Sequence, residues 1–509
     1  MKNKTKSALS SRILLGFTLI PLEFIFLLVL VLTLSSKWIY VYCATQILSF
    51  AVILWLVQKP GGAAAKIPWI LIILYLSPFG AIFYLIWGDS PLNNTKRRQH
   101  VDRVQVDYDK AGLTPVELEQ VPNNLHFCRN AGYIQHVTGM PVWENTACKF
   151  YSVGEEKYAD LMEDIRNAKK FIFLESFIIR EGSMWTSILD VLVQKLKEGV
   201  DVRVLYDDIG CLFTLPAKYN EYLTSLGIKT ACYNPFRPVI TSSFNYRDHK
   251  KILLIDGNIG YTGGTNIGDE YINKVVRFGH WKDTDVRLEG DGVVNLTTSF
   301  LTLWEVAYGK KETDYYSYLP TKSCPSDGYV QFFDDSPLDK FNVGQNTIMQ
   351  VINCAKNYVY IATPYLVLDN EMITALTTAA QSGVDVRILT PGIPDKNYIY
   401  CLTRSFYKQL VEGGVKIYEY TPGFIHAKMI VADDMVASVG TVNMDFRSFF
   451  LHFECGAFFY DGSIPHKVRE DMLQCVEKSR RITLDWIRTA IPLSTQIKAL
   501  FLRIFCPFL

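Results

Sequence analysis

The chain has 509 residues, 52 of them basic and 51 acidic, for a formal net charge of +1. That balance gives no support for a nucleic-acid-binding surface spread over the molecule, and the length predicts two or three domain-sized units. A hydrophobic fraction of 49% with a mean hydropathy of +0.10 is high for a wholly soluble protein and directs attention to membrane segments.

Three apolar runs open the chain, at residues 13–34, 39–57 and 67–88. Each approaches the ~20 residues a helix needs to cross the hydrocarbon core, so residues 1–90 are expected to form an N-terminal membrane anchor of two or three apolar helices. A cleavable signal peptide accounts for the first run only, and no small-x-small site precedes Trp38. Pro21 and Glu23 interrupt that run. Lys2, Lys4, Lys6 and Arg12 argue for a cytoplasmic N-terminus, and Lys96, Arg97, Arg98 and Arg103 for a cytoplasmic segment after the third run. Two spans plus a re-entrant or interfacial first segment satisfy both. The expectation is a multi-pass protein of the cell membrane with its body on the cytoplasmic side. Eleven cysteines without a C-x-x-C pair read as small buried hydrophobes of a reducing compartment, not as a disulfide framework or zinc site.

Residues 91–140 read as a juxtamembrane linker, and beyond them the chain repeats itself. "AKKFIFLESF" from Ala168 matches "AKNYVYIATPY" from Ala355, and "GVDVRVLYD" from Gly199 matches "GVDVRILTP" from Gly383. Helical stretches such as "SILDVLVQKLKEG" and "EMITALTTAAQSG" end in glycine and lead into these short apolar strands. Alternating helices and strands predict an α/β fold of two similar sandwich halves, 141–325 and 326–490, each with a largely parallel sheet. A short apolar and basic tail, 491–509, follows. Lys498 and Arg503 in it suit docking to a membrane surface, and a helix packed on the body fits equally well.

One polar pattern recurs in equivalent places. "HKKILLIDGNIGYTGGTN" and "HAKMIVADDMVASVGTVN" share the spacing H-x-K-x4-D-x6-G-x-x-N, which sets His249, Lys251, Asp256, Gly263 and Asn266 against His426, Lys428, Asp433, Gly440 and Asn443. Two residues apart on a strand, a histidine and a lysine leave the same face. A neutral imidazole is a nucleophile or base and an imidazolium an acid, while lysine and asparagine supply donors for the oxygens of a tetrahedral phosphate. Two copies face to face would let one imidazole attack phosphorus and the other protonate the leaving oxygen, with no metal and no cofactor required.

Both motifs resemble the H-K-D signature of the phospholipase D superfamily, in which two copies pair in one pseudo-dimeric catalytic body. The chain is most similar to the bacterial cardiolipin synthases of that superfamily through "PWILIILYLSPFGAIFYLIWG", "FGHWKDTDVRLEG", "TPYLVLDNEM", "YEYTPGFIHAK" and "VNMDFRSFFLHFE". The resemblance implies transfer of a phosphatidyl group from one phosphatidylglycerol to another, giving cardiolipin and glycerol. Its partners would be membrane phospholipids and the bilayer, with no nucleic acid. It implies that His249 attacks phosphorus to form a phosphatidyl-histidine and that His426 protonates the departing glycerol, although pseudo-symmetry leaves the reverse assignment open. Lys251, Lys428, Asn266 and Asn443 would hold the phosphate oxygens. Relatives orient each histidine with a downstream carboxylate, for which Glu454 is matched to His426 and Asp283 to His249. Asp256 and Asp433 join the catalytic set as motif members, with a role in holding the turn favoured over a direct one.

The chain departs from the family pattern at three places. The residue after the motif glycine, often serine, is Gly264 in one half and Thr441 in the other. Relatives often carry histidine where this chain has Asp285, which receives no role, and the extra N-terminal apolar run leaves topology open. His280 and His452 lie near the motifs and read as local structure. His100, His126, His136 and His466 read as solvated or satisfied. Tyr365 and Glu175 fit either a pocket wall or the core. Three rival readings are a phospholipid-hydrolysing lipase of the same fold, a nucleic-acid phosphodiesterase, and a scaffold without chemistry.

Overall fold

The computed structural model describes residues 36–59, 62–77, 79–88, 103–118, 125–235 and 245–506. The chain divides into two compact units. In the N-terminal unit, helices α1 (Ser36–Gln58), α2 (Ala63–Tyr75) and α3 (Phe79–Trp87) close around Val52, Ile53, Leu56, Ile73, Ala81 and Tyr84. Many of their remaining apolar side chains, among them Ile47, Leu48, Phe50, Leu54, Leu74 and Ile82, are exposed. The run expected at 39–57 is α1, and the run at 67–88 is divided between α2 and α3. The run at 13–34 lies outside the described residues. Among the described residues no helix is long and apolar enough to cross a membrane.

The larger unit holds both halves. The first half supplies β1 (Thr146–Tyr151), β2 (Phe171–Ser176), β3 (Asp201–Asp207), β4 (Lys229–Tyr233), β5 (Arg247–Asp248), β6 (Lys251–Ile255), β7 (Ile259–Gly263), β8 (His280–Lys282) and β9 (Asp285–Gly290). The second supplies β10 (Tyr329–Asp335), β11 (Tyr358–Ala362), β12 (Leu366–Val367), β13 (Asp385–Pro391), β14 (Lys416–Tyr420), β15 (Gly423–Ile425), β16 (Met429–Ala432), β17 (Val436–Gly440), β18 (Met444–Asp445), β19 (His452–Tyr460) and β20 (Ser479–Ile482). One sheet runs β1-β9-β7-β6-β2-β3-β4. The other runs β10-β19-β17-β16-β11-β13-β14-β20, so its first seven positions repeat the first sheet strand for strand. The duplication read from sequence is a duplication of topology.

The sheets are mixed, which corrects the expectation of largely parallel ones. β2, β3 and β4 are parallel, as are β11, β13 and β14, and the other neighbours along each sheet are antiparallel. A parallel pair needs a crossover of a dozen or more residues, whereas β6–β7 and β16–β17 are joined by turns at residues 256–258 and 433–435 alone. Asp256 and Asp433 enter those turns with φ of 54° and 55°, in the left-handed region that aspartate tolerates.

Helices α4 (Gly154–Asn167), α5 (Ser183–Lys197) and α6 (Val293–Tyr308) of the first half correspond to α7 (Val343–Cys354), α8 (Asn370–Gln381) and, beyond α9 (Asn397–Glu412), α10 (Ser463–Glu477) of the second. In α5 the buried set Met184, Trp185, Ile188, Leu189, Leu192 and Lys195 follows the 3.6-residue period, which turns one apolar stripe onto the sheet. Gly199 (φ 87°) and Gly383 (φ 96°) stand just after α5 and α8 in the left-handed conformation that ends a helix cheaply only with glycine. α6 is buried from Val293 through Trp304, because it lies between the first sheet and β10 of the second. α10 mirrors it, lying on the second sheet and touching β1 of the first.

Two short strands cross between halves. β5 pairs with β19, setting Arg247 against His452 and Asp248 against Phe453, and β8 pairs with β15, setting His280 against Gly423 and Lys282 against Ile425. The tail forms α11 (Leu493–Ile504), held to α9 by the Arg503 guanidinium 4.2 Å from the Phe406 ring and by Cys401 Sγ donating to Thr495 O. Leu493, Ile497, Leu500 and Phe501 face outward from it, so the tail is a packed helix that also leaves an apolar row exposed. Cys211, Cys354, Cys455 and Cys475 are buried free thiols, as the cysteine pattern suggested.

Candidate active site

The crossing strands build the site. His249 leaves β5 and precedes β6; His426 leaves β15 and precedes β16. Each is therefore held at the step from a short strand paired with the opposite half to a central strand of its own sheet. The His249 backbone N–H donates to Phe453 O at 3.0 Å, and that of His426 donates to Lys282 O at 2.7 Å. Phe453 and Lys282 are the residues immediately before Glu454 and Asp283. The backbone register thus presents each imidazole to the carboxylate of the other half. Lys282 is itself clamped across the halves, its ammonium 2.7 Å from Asp471 of α10.

His249 Nδ1 lies 3.0 and 2.9 Å from the two Glu454 oxygens, and His426 Nδ1 lies 2.6 Å from Asp283 Oδ2. The pairing expected from sequence, Glu454 with His426 and Asp283 with His249, is corrected: it is crossed. A carboxylate accepts and cannot donate, so each Nδ1 carries the proton and each Nε2 keeps its lone pair. Both carboxylates are fully buried. Glu454 also accepts from the hydroxyls of Thr441 and, at 2.7 Å, Ser448. Asp283 accepts from the Thr284 N–H at 3.0 Å and from the Trp281 indole at 3.4 Å.

The departure at Gly264 has its cause here. A Cβ on Gly264 would stand 1.9 Å from Asp283 Oδ1, so the carboxylate occupies the space a side chain would take. At the matching position Thr441 keeps its hydroxyl and spends it on Glu454.

The lysines follow the same symmetry. Lys251 Nζ donates to His249 O and Lys428 Nζ to His426 O. Burial lowers both lysines, Lys251 to about 8 and Lys428 to about 7, against the pull of Glu454 and Asp283 respectively. Burial, reinforced by Lys251, Lys428 and His426, holds His249 well below the ordinary histidine range. Burial and Lys428 lower His426 to about 4, with Asp283 opposing them. Burial also works against the charge of Asp283, but His426 and Lys428 overcome it and hold the carboxyl below its usual range. At neutral pH both imidazoles are neutral before substrate arrives.

The walls differ between halves. His426 sits among Trp281, Phe424 and Tyr271, with ring centroids at 5.3, 5.7 and 5.9 Å. His249 has Phe177 at 4.9 Å and His452 at 5.3 Å. Asn266 and Asn443 are both buried, in different states, and the Asn443 N–H donates to Ser448 Oγ at 3.1 Å. The Asn266 carboxamide accepts from the Ile178 N–H at 3.0 Å and donates to the Tyr271 hydroxyl at 3.1 Å. Asn443 Oδ1 is buried with no hydrogen-bond partner among the described residues.

Asp256 and Asp433 do not join the histidines, and their place in the catalytic set is corrected. They sit past the far ends of β6 and β16, seven residues of extended chain from the histidines, or about 20 Å. Asp256 accepts the N–H groups of Lys169, Lys170 and Phe171 at 2.7–3.0 Å, and Asp433 those of Lys356, Asn357 and Tyr358 over the same range. They tie the hairpin turns to the starts of β2 and β11, the holding role that sequence favoured.

Sequence reading passed over several residues. Asp285, left without a role, is buried against Lys157 at 2.7 Å and accepts from the Thr265 hydroxyl. Ser448 and Trp281, inside the quoted "VNMDFRSFFLHFE" and "FGHWKDTDVRLEG", steady the two carboxylates; their place in those segments was the available signal. Glu175 belongs to a buried charge cluster, 3.2 Å from Lys250 Nζ. Tyr365 donates to Asp395 at 2.6 Å and packs towards Phe424. His280 meets the Tyr420 hydroxyl at 3.2 Å, consistent with local structure.

Both halves match known proteins. Residues 161–276 and 348–476 match the family described as cardiolipin synthase, PLD-like domain. A Streptococcus mutans protein of uncharacterised function is 39% identical over 90% of this chain and 99% of its own. The cardiolipin synthase of Alkalihalophilus pseudofirmus is 35% identical over 81% of this chain and 83% of its own. Cardiolipin synthase 2 of Bacillus anthracis is 35% identical over 82% of each chain. Among solved structures, the phosphatidylserine synthase of Haemophilus influenzae shares the fold, with a TM-score of 0.55 at 15% identity over 75% of this chain and 100% of its own.

Proposed function

The chain belongs to the cardiolipin synthase family with phospholipase D-like domains, and on that premise we propose that it transfers a phosphatidyl group between two phosphatidylglycerols, releasing glycerol and forming cardiolipin. The observation that carries the reading is the crossed pair of carboxylate-held histidines, His249 with Glu454 and His426 with Asp283. In this proposal His249 Nε2 attacks phosphorus while His426 gives a proton to the departing glycerol oxygen, producing glycerol and a phosphatidyl-histidine. A headgroup hydroxyl of the second lipid then passes its proton to His426 and attacks phosphorus, and the P–N bond to His249 breaks.

The division of labour has a physical basis. Asp283, at 2.6 Å, opposes burial and the lysines at His426 and helps it hold a proton, whereas burial, reinforced by Lys251 and Lys428, keeps His249 neutral and nucleophilic. The diester anion adds negative charge, which raises Lys251, Lys428 and His426 towards their protonated forms as it binds. Asn266 and Asn443 are proposed to donate to the phosphate oxygens, with the orphaned Oδ1 of Asn443 available to a headgroup hydroxyl. Residues 141–325 and 326–490 are the two halves of this centre. The apolar runs of residues 1–90 anchor it to the cell membrane in more than one pass, with the body on the cytoplasmic side, a placement resting on hydropathy and on the lysine and arginine clusters.

Incubation of the purified full-length protein with labelled phosphatidylglycerol tests the reading. Cardiolipin and glycerol in equal amounts are expected. Phosphatidic acid without cardiolipin would replace the transferase reading with a hydrolase.

A further inference from the structure

His452 opens β19 beside the proposed nucleophile and the mechanism gives it no task. Its ring is 7% exposed, and among the described residues neither ring nitrogen has a hydrogen-bond partner. An imidazole with two buried, unpaired nitrogens is a costly arrangement. Nδ1 stands 3.5 Å from Glu454 Oε1, the same oxygen that lies 3.0 Å from His249 Nδ1. One donor atom each from His249, His452 and Glu454 falls within 4.8 Å of the others.

That spacing is close to what a metal ion requires. With bonds of about 2.0–2.1 Å, a tetrahedral centre separates its ligand atoms by about 3.3 Å. The two edges to Glu454, 3.0 and 3.5 Å, bracket this value, and the third is within 4.8 Å. Two imidazoles and a carboxylate form the donor set that favours zinc and its neighbours over magnesium or calcium, which prefer oxygen alone.

We propose that His249, His452 and Glu454 form a binding site for a zinc-class divalent cation that inhibits the enzyme. Binding draws on the geometry alone; inhibition rests on the nucleophilic role given to His249. The metal takes the Nδ1 lone pair of His249, and the ring proton moves from Nδ1 to Nε2. No proton leaves the ring, but Nε2 loses the lone pair that would attack phosphorus. Lys251 and Lys428 stand beside His249 and repel the dication, so the site is expected to bind more weakly than a structural zinc site.

The test uses detergent-purified full-length protein, as wild type and as His452→Asn and His452→Gln. Equilibrium dialysis with zinc alone should give one zinc per chain in the wild type, and affinity at least tenfold weaker in either variant. Product formation, read as the ratio with and without zinc in each protein, should fall at the same concentrations in the wild type and recover on chelation. Magnesium should do nothing. Binding of equal strength in wild type and variants, or none in the wild type, overturns the site. Variant-sensitive binding that leaves the rate untouched overturns the inhibition and the role of His249 together, while leaving the site. If the variants fail to fold, the wild-type cobalt complex decides: intense visible bands of a tetrahedral centre support the site, and a pale octahedral spectrum overturns it.

Discussion

His249 Nδ1 lies 2.9 Å from Glu454 Oε2, although the two residues are 205 positions apart and belong to opposite halves of the duplicated body. The reciprocal contact, His426 to Asp283, spans 143 positions. Each motif histidine therefore takes its carboxylate from the other half.

Glu454→Gln and Asp283→Asn are each expected to lower kcat by about 10²–10⁴ with folding retained, because an amide in place of the carboxylate no longer fixes the Nδ1–H tautomer. Cardiolipin formation and a thermal melt on the same preparations check this. A variant with near wild-type kcat would remove the orienting role from that carboxylate.

The nucleophile is separable from the acid by trapping. In His426→Asn protein given phosphatidylglycerol, a phosphatidyl adduct should accumulate slowly on His249, located by mass spectrometry of peptides, and none should form in His249→Asn. An adduct on His426 in the second variant, with none in the first, reverses the assignment.

The lysines set the alkaline side of the pH profile. A lysine is cationic below its pKa and neutral above it, so with Lys428 at about 7 and Lys251 at about 8 the hold on the diester weakens as pH rises through that window. KM for phosphatidylglycerol is expected to rise between about pH 7 and 9, and Lys428→Arg, which keeps its charge, should shift the rise upward. A flat KM across the window contradicts this account.

Gly264→Ser should cost at least tenfold in activity, since its Cβ would collide with Asp283 Oδ1 and swing the carboxylate off His426. Thr441→Ser keeps the hydroxyl on Glu454 and should be close to neutral. Steady-state rates of the two variants, measured side by side, give the comparison; wild-type activity in Gly264→Ser would be incompatible with the crowding described.

Asp256→Ala and Asp433→Ala each strip three backbone N–H groups of their acceptor, at a cost of about 1–3 kcal/mol in stability. Denaturant midpoints should fall while kcat per folded molecule holds. A loss of about 100-fold in kcat without a shift in midpoint would return these aspartates to the catalytic set.

The sequence by itself determined the duplication, the α/β halves, and the two histidines and two lysines that mark the candidate site. Local periodicity marks a helix or strand, and a repeated H-K-D spacing marks a phosphodiester site, because both are encoded by near neighbours in the chain. Hairpin direction was missed for a local reason: turns at 256–258 and 433–435 are too short for a crossover, so β7 and β17 run antiparallel. The pairing of histidines with carboxylates was not legible. The resemblance matched Glu454 to His426 and Asp283 to His249, each a carboxylate downstream of its histidine in the same half. Only the tertiary structure decided otherwise. β5 leaves its half to pair with β19, and β15 leaves its half to pair with β8, so the hydrogen-bond register that aims each imidazole is written on the opposite half.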